Sequence, residues 1–150
     1  MREDISEGLK QALKARDQRR TATLRSINAA IKDRDIANRG DGKGPATNDE
    51  ILALIQKMVK QREESFAIYA QAGRADLATV EKEEIDILNE FLPKGLTEAE
   101  VAAAIAAAIS ATGAEGPKDM GKVIAQLKAD YPGRIDFGRA SGLVKAALSA

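Results

Sequence analysis

Histidine and cysteine are both missing from this chain of 150 residues. The first absence removes the usual general base, the base of Ser-His and Cys-His pairs, and the commonest metal ligand. The second excludes disulfides and thiolate metal sites. Tryptophan is absent too, and there are only three Phe and two Tyr. No apolar run approaches the roughly 18 residues of a spanning helix, so no membrane segment is expected. The opening "MREDISEGLK" lacks the apolar centre of a signal peptide, which makes the cytoplasm the expected location. Gly40, Gly42 and Gly44 around Lys43 look superficially like a phosphate loop. They lack the G-K-[ST] ending and follow a helical pattern instead of a strand, so that reading is rejected. Catalysis would have to use carboxylates, lysine or a bound cofactor. The composition therefore argues against a self-contained enzyme: no catalytic residue, cofactor or metal is assigned.

What is present is a charged, helix-forming sequence. Hydrophobic residues make up 44% and charged residues 31%, ordinary values for a folded globular chain. The net charge is zero but unevenly spread. Lys10, Lys14, Arg16, Arg19, Arg20, Arg25, Lys32, Arg34 and Arg39 face only Asp17, Asp33 and Asp35 over the same stretch. From Asp76 to Glu90 the balance reverses: Glu81, Glu83, Glu84 and Asp86 join the two end residues against Lys82. One reading is of solvated helix faces that partly pair with each other. The other is an electrostatic footprint for nucleic acid on the basic helices.

Strand signals are lacking, and the fold class expected is all-α. Ile5, Leu9 and Leu13 repeat every four residues and mark a first helix; Leu24, Ile27 and Ile31 mark a second. The glycines and Pro45 then form a loop. Thr47 and Glu50 have capping-box spacing and start a third helix through Ile51, Ile55, Met58, Phe66 and Tyr69. Gly73 ends it, and a fourth helix runs from Ala75 to Phe91. Pro93 and Gly95 stop that helix. Thr97 and Glu100 form a second box ahead of Val101, Ile105 and Ile109, followed by helices through Val123–Leu127 and Leu143–Leu148. The expected organisation is an N-terminal helical bundle over residues 1–92 and a three-helix module over residues 93–150.

Two charges interrupt apolar stripes on neighbouring helices. Arg62 lies four residues beyond Met58, and Glu84 lies four from both Val80 and Leu88. A structural ion pair that fixes helix register is the expected outcome. Glu81 and Glu84 share a helix face but lack a second acidic helix, so they do not make a convincing cation site. Ser65 with Lys57 or Lys60 is a weak nucleophile candidate; a packing serine is the better reading. Lys118, Lys122, Arg134 and Arg139 surround one helix-turn-helix corner of the small module, and Arg25 and Lys32 lie seven apart on one face of the second helix.

Several ordered segments carry a resemblance: "TLRSINAAIK", "KQREES", "GRADLATVEKEEIDIL", "EFLPKGLTEAEV" and "KDMGKVIAQLKADYPGRIDFGRASGLVKAAL". Together they resemble the YqeY family, small bacterial proteins that share a tail domain with the GatB subunit of the aspartyl/glutamyl-tRNA amidotransferase. The related tail contacts tRNA, so the resemblance implies that Lys118, Lys122, Arg134 and Arg139 touch an RNA backbone. Arg25 and Lys32 form the rival site. The catalytic portion of that amidotransferase subunit has no counterpart here. The expectation is a tRNA-associated accessory protein, with a protein partner in the tRNA-charging machinery also possible. Two alternatives are a component of glutamine-dependent carbon–nitrogen ligase activity on aminoacyl-tRNA, and a protein–protein adaptor.

Overall fold

The computed structural model describes residues 1–150. Seven α-helices follow one another: α1 (Arg2–Lys14), α2 (Gln18–Gly40), α3 (Asn48–Gln71), α4 (Ala75–Asn89), α5 (Glu98–Thr112), α6 (Met120–Asp130) and α7 (Phe137–Ser149). A single 3-10 turn, Pro117–Asp119, precedes α6, and there is no strand. The fold is all-α. Its contacts divide it into two compact units, Met1–Leu92 and Pro93–Ala150.

In the first unit α2 is the central element, packing against α1, α3 and α4, while α3 and α4 form the most extensive pair. Ile5, Leu24, Ile27, Ile51, Ile55 and Leu88 are sealed from solvent at its centre. The period-four reading carries too far at two points. Leu13 is 48% exposed, because α1 ends one residue later and the chain turns away from the core. Phe66 is 38% exposed, because the buried stripe of α3 runs only from Ile51 to Val59. The two capping boxes also differ. Thr97 and Glu100 bond reciprocally. Thr47 caps the Glu50 N–H, but the Glu50 carboxylate takes its side-chain bond from Asn38 Nδ2 at 3.0 Å. The expected loop is shorter than the glycines suggest, since α2 continues to Gly40.

The Gly40–Ala46 crossing is pinned at its far end. Arg2 makes a two-pronged bond to Asp35, at 3.0 and 2.6 Å, and Asp35 accepts the Ala46 N–H at 2.8 Å. The Arg2 bond, followed by the Ala46 amide, holds the Asp35 carboxyl down at about 2.

In the second unit α5, α6 and α7 pack on one another around Ile105, Val123, Leu127 and Val144. Pro132 and Gly133 make the turn between α6 and α7. Gly133 sits at φ 75° and Arg134 N–H returns to the Tyr131 carbonyl, the geometry of a type II turn. Leu96 N–H donates to the Arg134 carbonyl, which ties the segment before α5 to this turn.

Candidate nucleic-acid interface

The acidic helix α4 consumes part of the basic stretch. Arg62 Nε donates to Glu84 Oε2 at 2.7 Å, with both side chains only 18% exposed. Arg62 also reaches the Met58 carbonyl one turn back in its own helix. Arg19 adds a second guanidinium to the same acid from α2, approaching Glu84 at 3.9 Å and Glu83 at 3.2 Å. Arg20 pairs with Glu90. Glu84 is thus clamped between α2 and α3, a register lock built from three helices. Partial pairing of the basic and acidic stretches was one of the two readings of the sequence, but which arginines pair, and the Arg2–Asp35 contact, were not legible, since these residues lie in ordinary polar positions of their helices. Burial, then the neighbouring Glu84 charge, pushes the Glu81 carboxyl up. No group of three or more acidic side chains converges in a metal-binding arrangement. Ser65 makes no hydrogen bond with Lys57 or Lys60.

Arg34 of α2 lies 3.8 Å from Glu50, but five other cations in and between α1 and α2 have a different fate. Lys10, Lys14, Arg16, Arg25 and Lys32 are all exposed and make no ion pair. Arg25 and Lys32 share one side of α2 by their spacing of seven. Lys10 lies three residues before Leu13, on the adjoining side of α1. Leu13, Arg16 and Arg25 line one shallow cleft where α1 meets α2. None of these five makes an ion pair within Met1–Leu92.

In Pro93–Ala150 the four cations of the expected corner fall into two pairs. Lys118 and Lys122 flank Asp119, which accepts the Glu115 N–H and lies 3.7 Å from Lys122 Nζ. That backbone bond, with the two lysines, lowers the Asp119 carboxyl below its usual range. Arg134 and Arg139 line a second cleft, of about 400 Å³, between α5 and α7. Arg134 donates Nε to the Lys94 carbonyl and lies 5.9 Å from the Tyr131 ring centre. Arg139 pairs with Glu98 at 3.0 Å, an exposed pair on both sides. Lys128 lies 5.7 Å from the Phe137 ring centre. Lys128, Arg134 and Arg139 are therefore occupied near the turn and the helix ends, whereas Lys94, Lys118 and Lys145 are exposed and make no ion pair.

Residues 2–148 match the family model described as Yqey-like protein. The chain belongs to the YqeY family. Among similar proteins is one from Clavispora lusitaniae named altered inheritance of mitochondria protein 41, mitochondrial, 37% identical over 84 residues. That match covers 56% of this chain and 46% of the Clavispora protein, so the chain spans about half the length of that relative. A protein of the same name from Eremothecium gossypii is 28% identical over 149 residues, covering 97% of this chain and 79% of its own length. The name assigns those YqeY-type proteins to mitochondria. In this chain no helix is long and apolar enough to cross a membrane.

Proposed function

We propose that this YqeY-family chain is a tRNA-associated binding protein with no active site of its own, which meets the RNA backbone through the cationic flank of α1 and α2. The observation that carries the reading is the unpaired state of Lys10, Lys14, Arg16, Arg25 and Lys32. Unpaired, exposed cations are available to replace the counterions of a phosphate chain, whereas Arg134 and Arg139 would first have to leave existing partners. The scarcity of aromatic residues fits contacts to backbone and shape better than stacking on splayed bases. The tail lysines Lys118 and Lys122 serve as a second, weaker contact in this reading.

Filter binding of folded tRNA and of an RNA duplex of equal length, at about 50 and 200 mM salt, tests it. Tighter binding to folded tRNA that weakens steeply with salt is the expected result. No binding at the lower salt overturns the RNA reading and leaves the α5–α7 cleft as the surface to pursue, in the adaptor role. Glutamine-dependent amide formation on misacylated tRNA by this chain alone would replace it with a carbon–nitrogen ligase.

A further inference from the structure

The corner between α1 and α2 contains the one non-glycine residue with a positive φ, Arg16 at 55°. Its N–H donates to the Leu13 carbonyl, and the next amide, of Asp17, reaches the Ala12 carbonyl. This is the Schellman closure of a helix, in which the left-handed residue is normally glycine. The end of α5 follows that rule with Gly113 at φ 67°. An arginine in the same conformation strains the backbone, and strain that is kept in a fold points to a use for the side chain.

That side chain lines the cleft with Leu13, Gln18, Thr21, Ala22 and Arg25. Three features of the lining agree with one another. The four arginines around the first turns of α2 are sorted: Arg19 goes to Glu83 and Glu84 of α4 and Arg20 to Glu90 just past its end, while Arg16 and Arg25 pair with none. Thr21 is only 9% exposed, yet its hydroxyl makes no hydrogen bond within the protein. Thr23, two residues on, gives its hydroxyl to the Arg19 carbonyl in the usual way of a helical threonine. No fully sealed polar side-chain atom lacks a partner, so the Thr21 hydroxyl keeps access to solvent, and Thr21 lines the cleft. Such a hydroxyl, with no partner in the protein, is free to donate to a group that enters the cleft. Finally, no carboxylate lines the cleft.

We propose that this corner is a subsite for a phosphoryl group, held by the Arg16 and Arg25 guanidiniums and the Thr21 hydroxyl. Guanidinium forks match the paired oxygens of a phosphate, and a hydroxyl adds a neutral donor to the same anion. Half-exposed Leu13 supplies an apolar wall beside it. The subsite deepens the RNA reading and rests on it: it takes one phosphodiester of the bound backbone. A free phosphate is the other source of the same chemistry.

The test combines thermal melting, tRNA binding and amide chemical-shift titration on the full chain. Arg16→Gly relieves the strained backbone, so the expected result is a melting temperature raised by a few degrees. Affinity for tRNA should fall roughly tenfold at low salt, with the salt slope reduced by slightly less than one unit. Thr21→Val should weaken binding without changing the slope, because no charge is removed. Inorganic phosphate titrated against the wild type separates the sources. Saturable shifts at the Arg16 and Thr21 amides at concentrations well below 1 mM assign the subsite to free phosphate. Their absence, together with weakened tRNA binding in Arg16→Gly, assigns it to the RNA chain. If wild type binds tRNA and Arg16→Gly binds it equally well, with no phosphate shifts, the subsite is wrong while the flank reading stands. Absence of both tRNA binding and phosphate shifts in wild type overturns both.

Discussion

Met1–Leu92 and Pro93–Ala150 differ in where they leave positive charge unpaired: five such cations gather along α1 and α2 in the first, while the arginines of the second both have partners. In the larger unit Arg19, Arg20 and Arg62 go to the acidic helix and Arg2 and Arg34 to Asp35 and Glu50, while Lys10, Lys14, Arg16, Arg25 and Lys32 stay unpaired on the α1–α2 flank. In the smaller unit the cations near the Pro132–Gly133 turn brace carbonyls, rings and a neighbouring acid. The difference teaches that a cluster of basic residues in a sequence is not yet a binding surface. What matters is how many of them the fold leaves without an internal partner. The cores differ as well: the first unit gathers the greater number of buried aliphatic side chains, from four helices instead of three.

The largest effect is expected from cutting the chain between the units. Residues 1–92 alone should remain helical and melt cooperatively. Residues 93–150 alone should be marginal, because a module of that size buries too little surface for much stability. Circular dichroism melts of both fragments decide this. If the tail fragment melts at the temperature of the full chain while the larger fragment is unfolded, the stable unit has been misassigned.

A smaller but sharper effect concerns the lock that holds α4 to its neighbours. Removing either Arg62 or Glu84 should destabilise the chain by about 1–4 kcal/mol, since the remaining charge loses its partner in a mostly buried place. Arg62→Met combined with Glu84→Leu should recover much of that loss. A double-mutant cycle of denaturant melts measures the coupling. A coupling of zero would mean that the 2.7 Å contact does not link the two helices energetically. Glu84→Leu should also leave Arg19 with only Glu83.

Acid gives the smallest of the three. The Asp35 carboxyl is held at about 2, against the 3.8 of an unperturbed aspartate. A depressed carboxyl contributes stability above its unfolded value, and that contribution is lost as pH falls from about 3.8 through about 2. Melting temperatures of wild type should therefore drop more steeply over that window than those of Asp35→Asn. Parallel curves would show that the Arg2–Asp35–Ala46 clip does not contribute to stability.

Much of the architecture was readable from the sequence, because helices announce themselves locally. The four-residue spacing of Ile5 and Leu9, the Thr97–Glu100 box and the turn residues Pro132 and Gly133 all act within a few positions of themselves. The Arg62–Glu84 contact was readable for a related reason: each charge interrupts an apolar stripe, and a charge in such a stripe needs a partner. The clip between Arg2 and Asp35 was not, since it joins residues 33 apart, both at unremarkable polar positions. Leu13 and Phe66 continue a pattern beyond the point where the core has ended, and spacing alone does not reveal where a neighbouring helix stops. The state of each cation was the least readable, because it depends on which distant carboxylate the fold brings near. Arg16 carries no turn signal at all, since a left-handed helix end is ordinarily announced by glycine.

The most direct test of the central claim compares two double variants in one tRNA-binding assay across a salt series. Arg25→Gln with Lys32→Gln removes two unpaired cations of the α1–α2 flank; Lys118→Gln with Lys122→Gln removes the two lysines beside Asp119. Flank neutralisation should reduce the slope of log affinity against log salt by nearly two units. The tail variant should reduce it by less, with similar factors for different tRNA sequences in both cases. A larger loss from the Lys118 and Lys122 variant, with the flank variant indistinguishable from wild type, would contradict the account and move the RNA contact to Pro93–Ala150.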